Sequence, residues 1–200
     1  MTSRLSDRGQ RRNYRKGTLL TQEGDLGDSV FYILVGHVKV FSMDEDGREF
    51  TFTTLGPGDY FGEMSLDGGV RSASVITMGP CECAVLSKDD VRAHMRADPD
   101  FAFELLVTAI SRAREATRVA RGLALSGVYS RLVAFLERNA RVQPNGERMV
   151  EEVLTQAEIA SRIGSSREMV SRILKDLEQG DYIAFRERRL VILKKLPERW

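Results

Sequence analysis

Between Phe101 and Leu125 the chain runs for twenty-five residues without proline and with no glycine before Gly122. Within that run Leu106, Ala109, Ala113, Ala116, Ala120 and Leu123 recur at alternating intervals of 3 and 4, and Arg112, Arg114, Arg118 and Arg121 lie off that line. The spacing is a heptad seam on one long helix. At 1.5 Å per residue such a helix spans roughly 35 to 40 Å, more than a small domain needs for a lid. A helix packed on its own domain would show a wider stripe of larger residues. The alanines instead permit close helix approach, so the seam predicts a parallel contact between two copies of the chain. Everything else in the sequence falls before or after this helix.

The stretch before it is punctuated by glycine. From Lys16 to about Leu86, runs such as "SVFYILV", "HVKVF", "EFTFT", "SASVITM" and "ECAVLS" are separated by Gly24, Gly27, Gly36, Gly47, Gly56 and Gly58, where turns call for positive φ. "HVKVF" and "EFTFT" alternate polar with apolar at period two. Seven or eight short strands at this spacing predict a β-sandwich or jelly roll.

The stretch after it is helical and then returns to strands. "GVYSRLVAFLERNARV" is a second helix closed by the turn "QPNGER". Thr155 followed by Glu158 has the form of a capping box, Gly164 suits a helix C-terminus, and Ser165 or Ser166 can cap the next helix. Ile159, Ile163, Val170, Ile173, Leu174 and Leu177 form the expected inward face, and two short strands end the chain. The two halves also differ in charge. Residues 1–100 carry 12 Lys and Arg against 16 Asp and Glu, whereas residues 101–200 carry 18 against 13. An acidic front and a basic back point to two separate tasks.

Several classes drop out. The apolar runs are only a few residues long and Met1 to Lys16 is polar and basic, so neither a membrane span nor a secretory leader is expected, and the chain is read as cytoplasmic. Cys81 and Cys83 stand one residue apart in a strand-like run and are expected on opposite faces, unable to bridge easily. Neither His37 nor His94 has a cysteine or histidine at ligand spacing, so no metal site is expected. G-x-S-x-G, H-E-x-x-H and P-loop motifs are all missing, which argues against an enzyme.

The run "GSSREMVSRILKDLEQG" carries the sharpest functional signal. Its apolar positions face one way, while Ser166, Arg167, Glu168, Ser171 and Arg172 gather near the N-terminal end on other faces. A recognition helix is built like this, with its first turns in the DNA major groove and its apolar face on a partner helix. Arginine can donate twice to guanine, and glutamate can accept from cytosine N4. Glutamate repels phosphate, so Glu168 favours base reading over backbone binding. The plainer alternative is a surface helix with a solvated Glu168 to Arg172 pair. The preceding capped helix and the basic hairpin "RERRLVILKK", a candidate wing, weigh against it, although that hairpin also suits a charge-protected edge strand. In the front half, Gly62 is expected to open a short helix whose N–H groups attract an anion. Arg71 adds a fork for phosphate, Ser72 a hydroxyl, and Glu63 an acceptor for a ribose hydroxyl. A surface Glu63 to Arg71 ion pair around a glycine-rich turn is the alternative there.

"LTQAEIASRIGSSREMVSRILKDLEQGDYI" closely resembles the winged helix-turn-helix of the cyclic-AMP receptor protein and FNR (CRP/FNR) family of bacterial transcription regulators, and the likeness extends from "KGTLLTQEGDLGDSVFYILVGHVKVF" to the last hairpin. The resemblance implies an α+β chain: a cyclic-nucleotide-binding-type β jelly roll over residues 1–98, a dimerisation helix over 99–125 and a winged helix-turn-helix over 126–200. It places Arg167, Glu168 and Arg172 on the family's base-reading positions and implies a half-site similar to TGTGA. Further DNA contacts would come from Thr155, Gln156, Ser166, Ser171, Lys175 and Arg188, while Met169 stands where the family usually has a small polar residue on phosphate. Gly62, Glu63, Met64, Ser65, Arg71, Ser72 and Ala73 would form the phosphate-binding cassette. Only seven residues separate Glu63 from Arg71, fewer than in members that bind cyclic AMP. The hydroxyl pair that meets adenine in the cyclic-AMP receptor aligns with Ala116 and Thr117, which leaves Thr117 as the base contact. The implied ligand is a cyclic nucleotide, cyclic AMP first and cyclic GMP or cyclic di-GMP next. No iron-sulfur cluster is expected, since no cysteine precedes Cys81, and no haem is expected, His37 being read as a strand residue. Double-stranded DNA, a second copy of the chain and RNA polymerase are the implied partners, with no membrane. Ligand-independent control in the same fold, or a nucleotide module acting on a protein partner, are the alternatives.

Overall fold

The computed structural model describes residues 9–144 and 146–197. The chain divides into two compact units, one up to Ala113 and one from Arg114 onward. Among the described residues the first is a β jelly roll of eight strands: β1 Gln10–Tyr14, β2 Leu19–Thr21, β3 Ser29–Val35, β4 Val38–Met43, β5 Glu49–Leu55, β6 Tyr60–Phe61, β7 Ser74–Thr77 and β8 Cys81–Ser87. They form two four-stranded antiparallel sheets of order β1-β8-β3-β6 and β2-β7-β4-β5. Strand β3 shows why this sequence makes a sandwich. Phe31 and Ile33 enter the core shared with Val38, Phe61 and Val75. Val30 and Tyr32 point the other way, into a cluster with Leu86, Val91 and Phe101. Alternation at period two therefore buries both faces of this strand.

The same period corrects the expectation for the cysteines. Residues with one residue between them share a face of a strand, not opposite faces. Cys81 and Cys83 both belong to the core between the sheets, with their Sγ atoms 3.6 Å apart and both thiols free. Burial pushes both thiols up, Cys83 to about 12.

Helix α1, Lys88–Ala97, follows β8 and starts with a capping box between Ser87 and Asp90. Helix α2, Pro99–Leu125, begins in the first unit and ends in the second. Its seam residues Leu106, Ala109, Ala113, Ala116, Ala120 and Leu123 are all exposed in the single chain. Phe103, Val107 and Ile110 are exposed beside them, so the apolar stripe is broader at its start than the alanine spacing indicated.

The second unit contains α3 Val128–Asn139, β9 Ala140–Val142, β10 Arg148–Val150, α4 Gln156–Ile163, α5 Arg167–Gln179, β11 Ile183–Arg186 and β12 Arg189–Ile192. Its sheet has the order β11-β12-β10-β9. The sequence predicted only the last two strands, because β9 and β10 are three residues each and too short to show a period. Ile159, Ile163, Val170, Ile173, Leu174 and Leu177 all enter one core with Leu132, Phe135, Leu136, Ile183 and Leu190. Among the described residues no helix is long and apolar enough to cross a membrane, and no group of three or more His, Cys, Asp or Glu side chains is placed to hold a metal ion.

Candidate ligand pocket and nucleic-acid interface

Strand β6 ends at Phe61, and the chain then turns through Gly62 with φ 88°. Only glycine fits there. Its φ is left-handed, and a Cβ would lie 2.6 Å from the Arg71 guanidinium and 2.7 Å from Ser29 O. The short helix expected after Gly62 is a single 3-10 turn, Glu63–Ser65. One turn has little dipole, so an anion here would depend on side chains and individual N–H groups.

Arg71 does not present an open fork. Its side chain runs past Gly27, where a Cβ would come within 2.1 Å of Nε, and the residue is only 7% exposed. One terminal nitrogen donates to Ser29 O at 2.8 Å, Gly62 O at 3.0 Å and Ser65 Oγ at 2.9 Å, and the other donates to Ser29 Oγ at 3.1 Å. Burial lowers its pKa, while Asp28 and Glu63 oppose that shift. A cavity of about 270 Å³ adjoins it, lined by residues that include Leu20, Thr21, Leu26, Asp28 and Phe31 but not Glu63 or Ser72. Ser72 is exposed, with its hydroxyl 3.2 Å from the sulfur of the exposed Met64, and Ala73 O accepts from Thr21 Oγ1 at 3.4 Å.

Glu63 is largely covered as well, beside the buried Ser65 and Arg71. Its side chain is 9% exposed and pairs through Oε1 with Arg112 of α2, not with Arg71. Arg112 also donates to Tyr60 O and lies over the Tyr60 ring, 5.3 Å from its centroid. Glu63 Oε2 is buried with no hydrogen-bond partner among the described residues. A buried carboxylate oxygen without a donor is costly. A hydroxyl donor brought by a ligand would relieve it. Thr117 lies on the part of α2 that belongs to the second unit and is exposed.

In the second unit, the Thr155 hydroxyl accepts from Glu158 N at 3.2 Å, while Thr155 N donates to Glu158 Oε2 at 2.6 Å, which fixes the start of α4. Gly164 ends that helix at φ 63°, and Ser166 caps α5 by accepting from Met169 N at 3.2 Å. The two helices are thus joined by a short, doubly capped turn. Arg167, Glu168, Arg172 and Lys175 are exposed, Ser171 and Gln156 half-buried. No hydrogen bond or ion pair engages the side chains of Arg167, Glu168, Arg172, Lys175 or Arg188 among the described residues, so the Glu168 to Arg172 surface pair is not formed. At the hairpin tip Glu187 and Arg188 hold φ values of 48° and 66° between the paired Arg186 and Arg189. A two-residue turn of this form favours Asn and Gly, so the tip is strained and presents Arg188 outward. Lys194 lies beyond β12, with Nζ 4.2 Å from the centre of the Tyr182 ring.

Residues 11–98 match the family model described as a cyclic nucleotide-binding domain, and residues 130–197 match the Crp-like helix-turn-helix domain. The cAMP-activated global transcriptional regulator CRP of Pasteurella multocida is 32% identical over 186 residues, covering 90% of this chain and 88% of that protein. The CRP-like cAMP-activated global transcriptional regulator of Mycobacterium tuberculosis is 30% identical over 184 residues, 90% of this chain and 82% of that one.

The chain belongs to the CRP/FNR family. Among solved structures, the c-di-GMP responsive global regulator CLP of Xanthomonas campestris superposes with a TM-score of 0.83 at 25% identity, over 96% of this chain and 97% of that one. As a CRP/FNR member the chain is a DNA-binding transcription regulator with a cyclic nucleotide-binding domain, in a family of regulators and not of enzymes.

Two arginines of this CRP/FNR chain make contacts at these sites that the sequence does not single out. Arg112 stands in the sequence among three other arginines of α2. At about 100° per residue, however, Arg114, Arg118 and Arg121 share one stripe, and Arg112 lies roughly 120° or more away from each of them. That offset was a usable signal. The other is Arg131 of α3, whose guanidinium donates to Ser126 O at 2.7 Å, Ile163 O at 2.8 Å and Gly164 O at 3.0 Å. It ties the segment after α2 to the turn before α5, and nothing in the sequence distinguishes it from a surface arginine.

Proposed function

We propose that this regulator acts in the cytoplasm as a homodimer joined along α2, that a cyclic nucleotide held at Gly62, Glu63, Met64, Ser65, Arg71, Ser72, Ala73 and Thr117 controls it, and that it reads a palindrome of TGTGA-like half-sites to regulate RNA polymerase. The observation that carries the reading is the state of Glu63. One carboxylate oxygen is held by Arg112 of α2, and the other is buried and waiting for a donor. A ribose 2′-hydroxyl supplies that donor, and any shift of Glu63 is then felt by the helix proposed to join the two subunits.

Phosphate is the harder half of the fit. Ser72 Oγ is at hand, but Arg71 must exchange an internal carbonyl for the ligand, which costs part of the affinity that a free guanidinium would give. Cyclic AMP is the first candidate, since relatives at 30 to 32% identity are named as cAMP-activated. The short cassette, and Ala116 in place of a hydroxyl, favour cyclic di-GMP as the second reading, as does the likeness to a c-di-GMP responsive regulator. On the DNA side, unengaged Arg167, Glu168 and Arg172 would meet base edges, while Thr155, Gln156, Ser166, Ser171, Lys175 and Arg188 would fix the register on the backbone.

The test is calorimetry with cyclic AMP, cyclic GMP and cyclic di-GMP, followed by DNA binding to a duplex with two TGTGA half-sites about 34 to 36 Å apart. One nucleotude should bind and raise affinity for that duplex at least tenfold over a scrambled one. Specific DNA binding that no nucleotide alters would overturn nucleotide control and leave a ligand-independent regulator.

A further inference from the structure

The first turn of α5 differs from that of the other helices that begin with a hydroxyl cap. At α1 and α4 the third helical residue is acidic, Asp90 or Glu158, and completes a reciprocal capping box. At α5 the third residue is Met169, and the cap rests on Ser166 alone. A carboxylate here would close the box and favour the helix dipole. Glu168 at the second position already serves the dipole, but the chain forgoes the box and places a large apolar side chain at the surface, 39% exposed.

Packing does not account for it. Val170, Ile173, Leu174 and Leu177 supply the buried face of α5. Met169 sits on the rim of that face, roughly 60° around the helix from Arg172 at about 100° per residue. Toward solvent it is flanked by Arg172, one turn on, and by Glu168 and the capping Ser166 before it, all polar and exposed. In the major groove the 5-methyl group of thymine is the apolar group on the base edges, and apolar side chains are what recognise it. The unbranched thioether of methionine adapts readily to such a contact.

We infer that Met169 is a specificity-determining residue that packs on a thymine 5-methyl group beside the base pair met by Arg172. This rests on the proposal that α5 enters the major groove, and it adds a readout by shape and apolar contact to the polar readout of Arg167, Glu168 and Arg172.

The experiment removes the methyl and leaves every hydrogen-bonding group in place. A site is first selected by the full-length protein from a randomised duplex library. Each thymine of the selected half-site is then replaced, symmetrically, by deoxyuridine. Losing one buried methyl is worth about a fourfold loss per half-site, hence about tenfold or more for a symmetric pair. The wild type should show that loss at one position. Met169→Leu should keep it, whereas Met169→Thr and Met169→Ala should bind thymine and uracil duplexes alike while retaining the other base preferences. A wild type indifferent to uracil at every position, or a Met169→Thr protein that discriminates as the wild type does, overturns the assignment. Failure to select any site would instead refute base reading by α5 itself, so the two failures are told apart. Thermal melts that match across the variants exclude misfolding as the cause of a lost discrimination.

Discussion

Replacing Arg131 with methionine keeps most of the aliphatic stem and removes every donor. Three hydrogen bonds go with it: 2.7 Å to Ser126 O, 2.8 Å to Ile163 O and 3.0 Å to Gly164 O. Ile163 and Gly164 end α4, where carbonyls have no partner within the helix, so the guanidinium both satisfies them and places positive charge at the negative end of the dipole. A bond from a charged donor is worth about 1.5 to 3 kcal/mol. Arg131 is half-buried, and water can reclaim part of what is lost. The total is therefore discounted to about 2 to 4 kcal/mol, well below the simple sum. Arg131→Lys retains the charge and the dipole contribution but not the three-way reach, so it should recover a minority of the loss. Urea denaturation of the full-length protein, followed by circular dichroism and fitted as two transitions if two appear, gives the comparison. A Met variant within about 0.5 kcal/mol of wild type, or a Lys variant equal to wild type, would refute the claim that the geometry of the fork matters.

Three further outcomes can be stated. Glutamate at Ala113 sets like charges on the exposed seam, so sedimentation at micromolar concentration should find wild type dimeric and Ala113→Glu monomeric; a monomeric wild type would end the dimer proposal. Arg112→Ala leaves the buried Glu63 carboxylate without its countercharge and should cost about 1 to 3 kcal/mol, while adding Glu63→Gln should restore part of it; purely additive losses would show that the two do not interact. The folded state holds the Cys83 thiol at about 12, against about 8.5 in an unfolded chain. The stability it contributes is therefore complete below about pH 8.5 and declines by at most about 1.4 kcal/mol per unit as pH rises toward the folded value. Wild type should lose more urea resistance than Cys83→Ala between pH 8 and pH 10, and equal losses would contradict the burial argument.

Elements long enough to show a period were legible in the sequence. Strand β3 alternates over Ser29–Val35, α2 runs uninterrupted through the seam, and α4 and α5 are delimited by Thr155, Gly164 and Ser166, each of which adopts the conformation its side chain favours. The reversal at the cysteines has a different origin. Period two holds in β8, and because Glu82 lies between them Cys81 and Cys83 fall on one face, whereas only adjacent residues fall on opposite faces.

The candidate pocket was legible only as a set of residue types, because its arrangement depends on pairings across the chain. Glu63 and Arg71 were natural partners by charge and proximity in sequence, yet Glu63 pairs with Arg112, 49 residues away. Arg71 instead satisfies backbone oxygens that the Gly62 turn leaves pointing inward. Once Arg71 is buried, its donors must be filled, and neutral carbonyls fill them without neutralising its charge. That charge remains available to a phosphate, offset at a distance by Asp28 and Glu63. A ligand that engages the free oxygen of Glu63 and draws Arg71 outward would alter both partners of Ser29 and Gly62 together with the contact to α2. A local exchange of hydrogen bonds in the cassette would thus act on the helix that carries the proposed dimer seam, and the strength of that coupling is what the Arg112 and Glu63 variants measure.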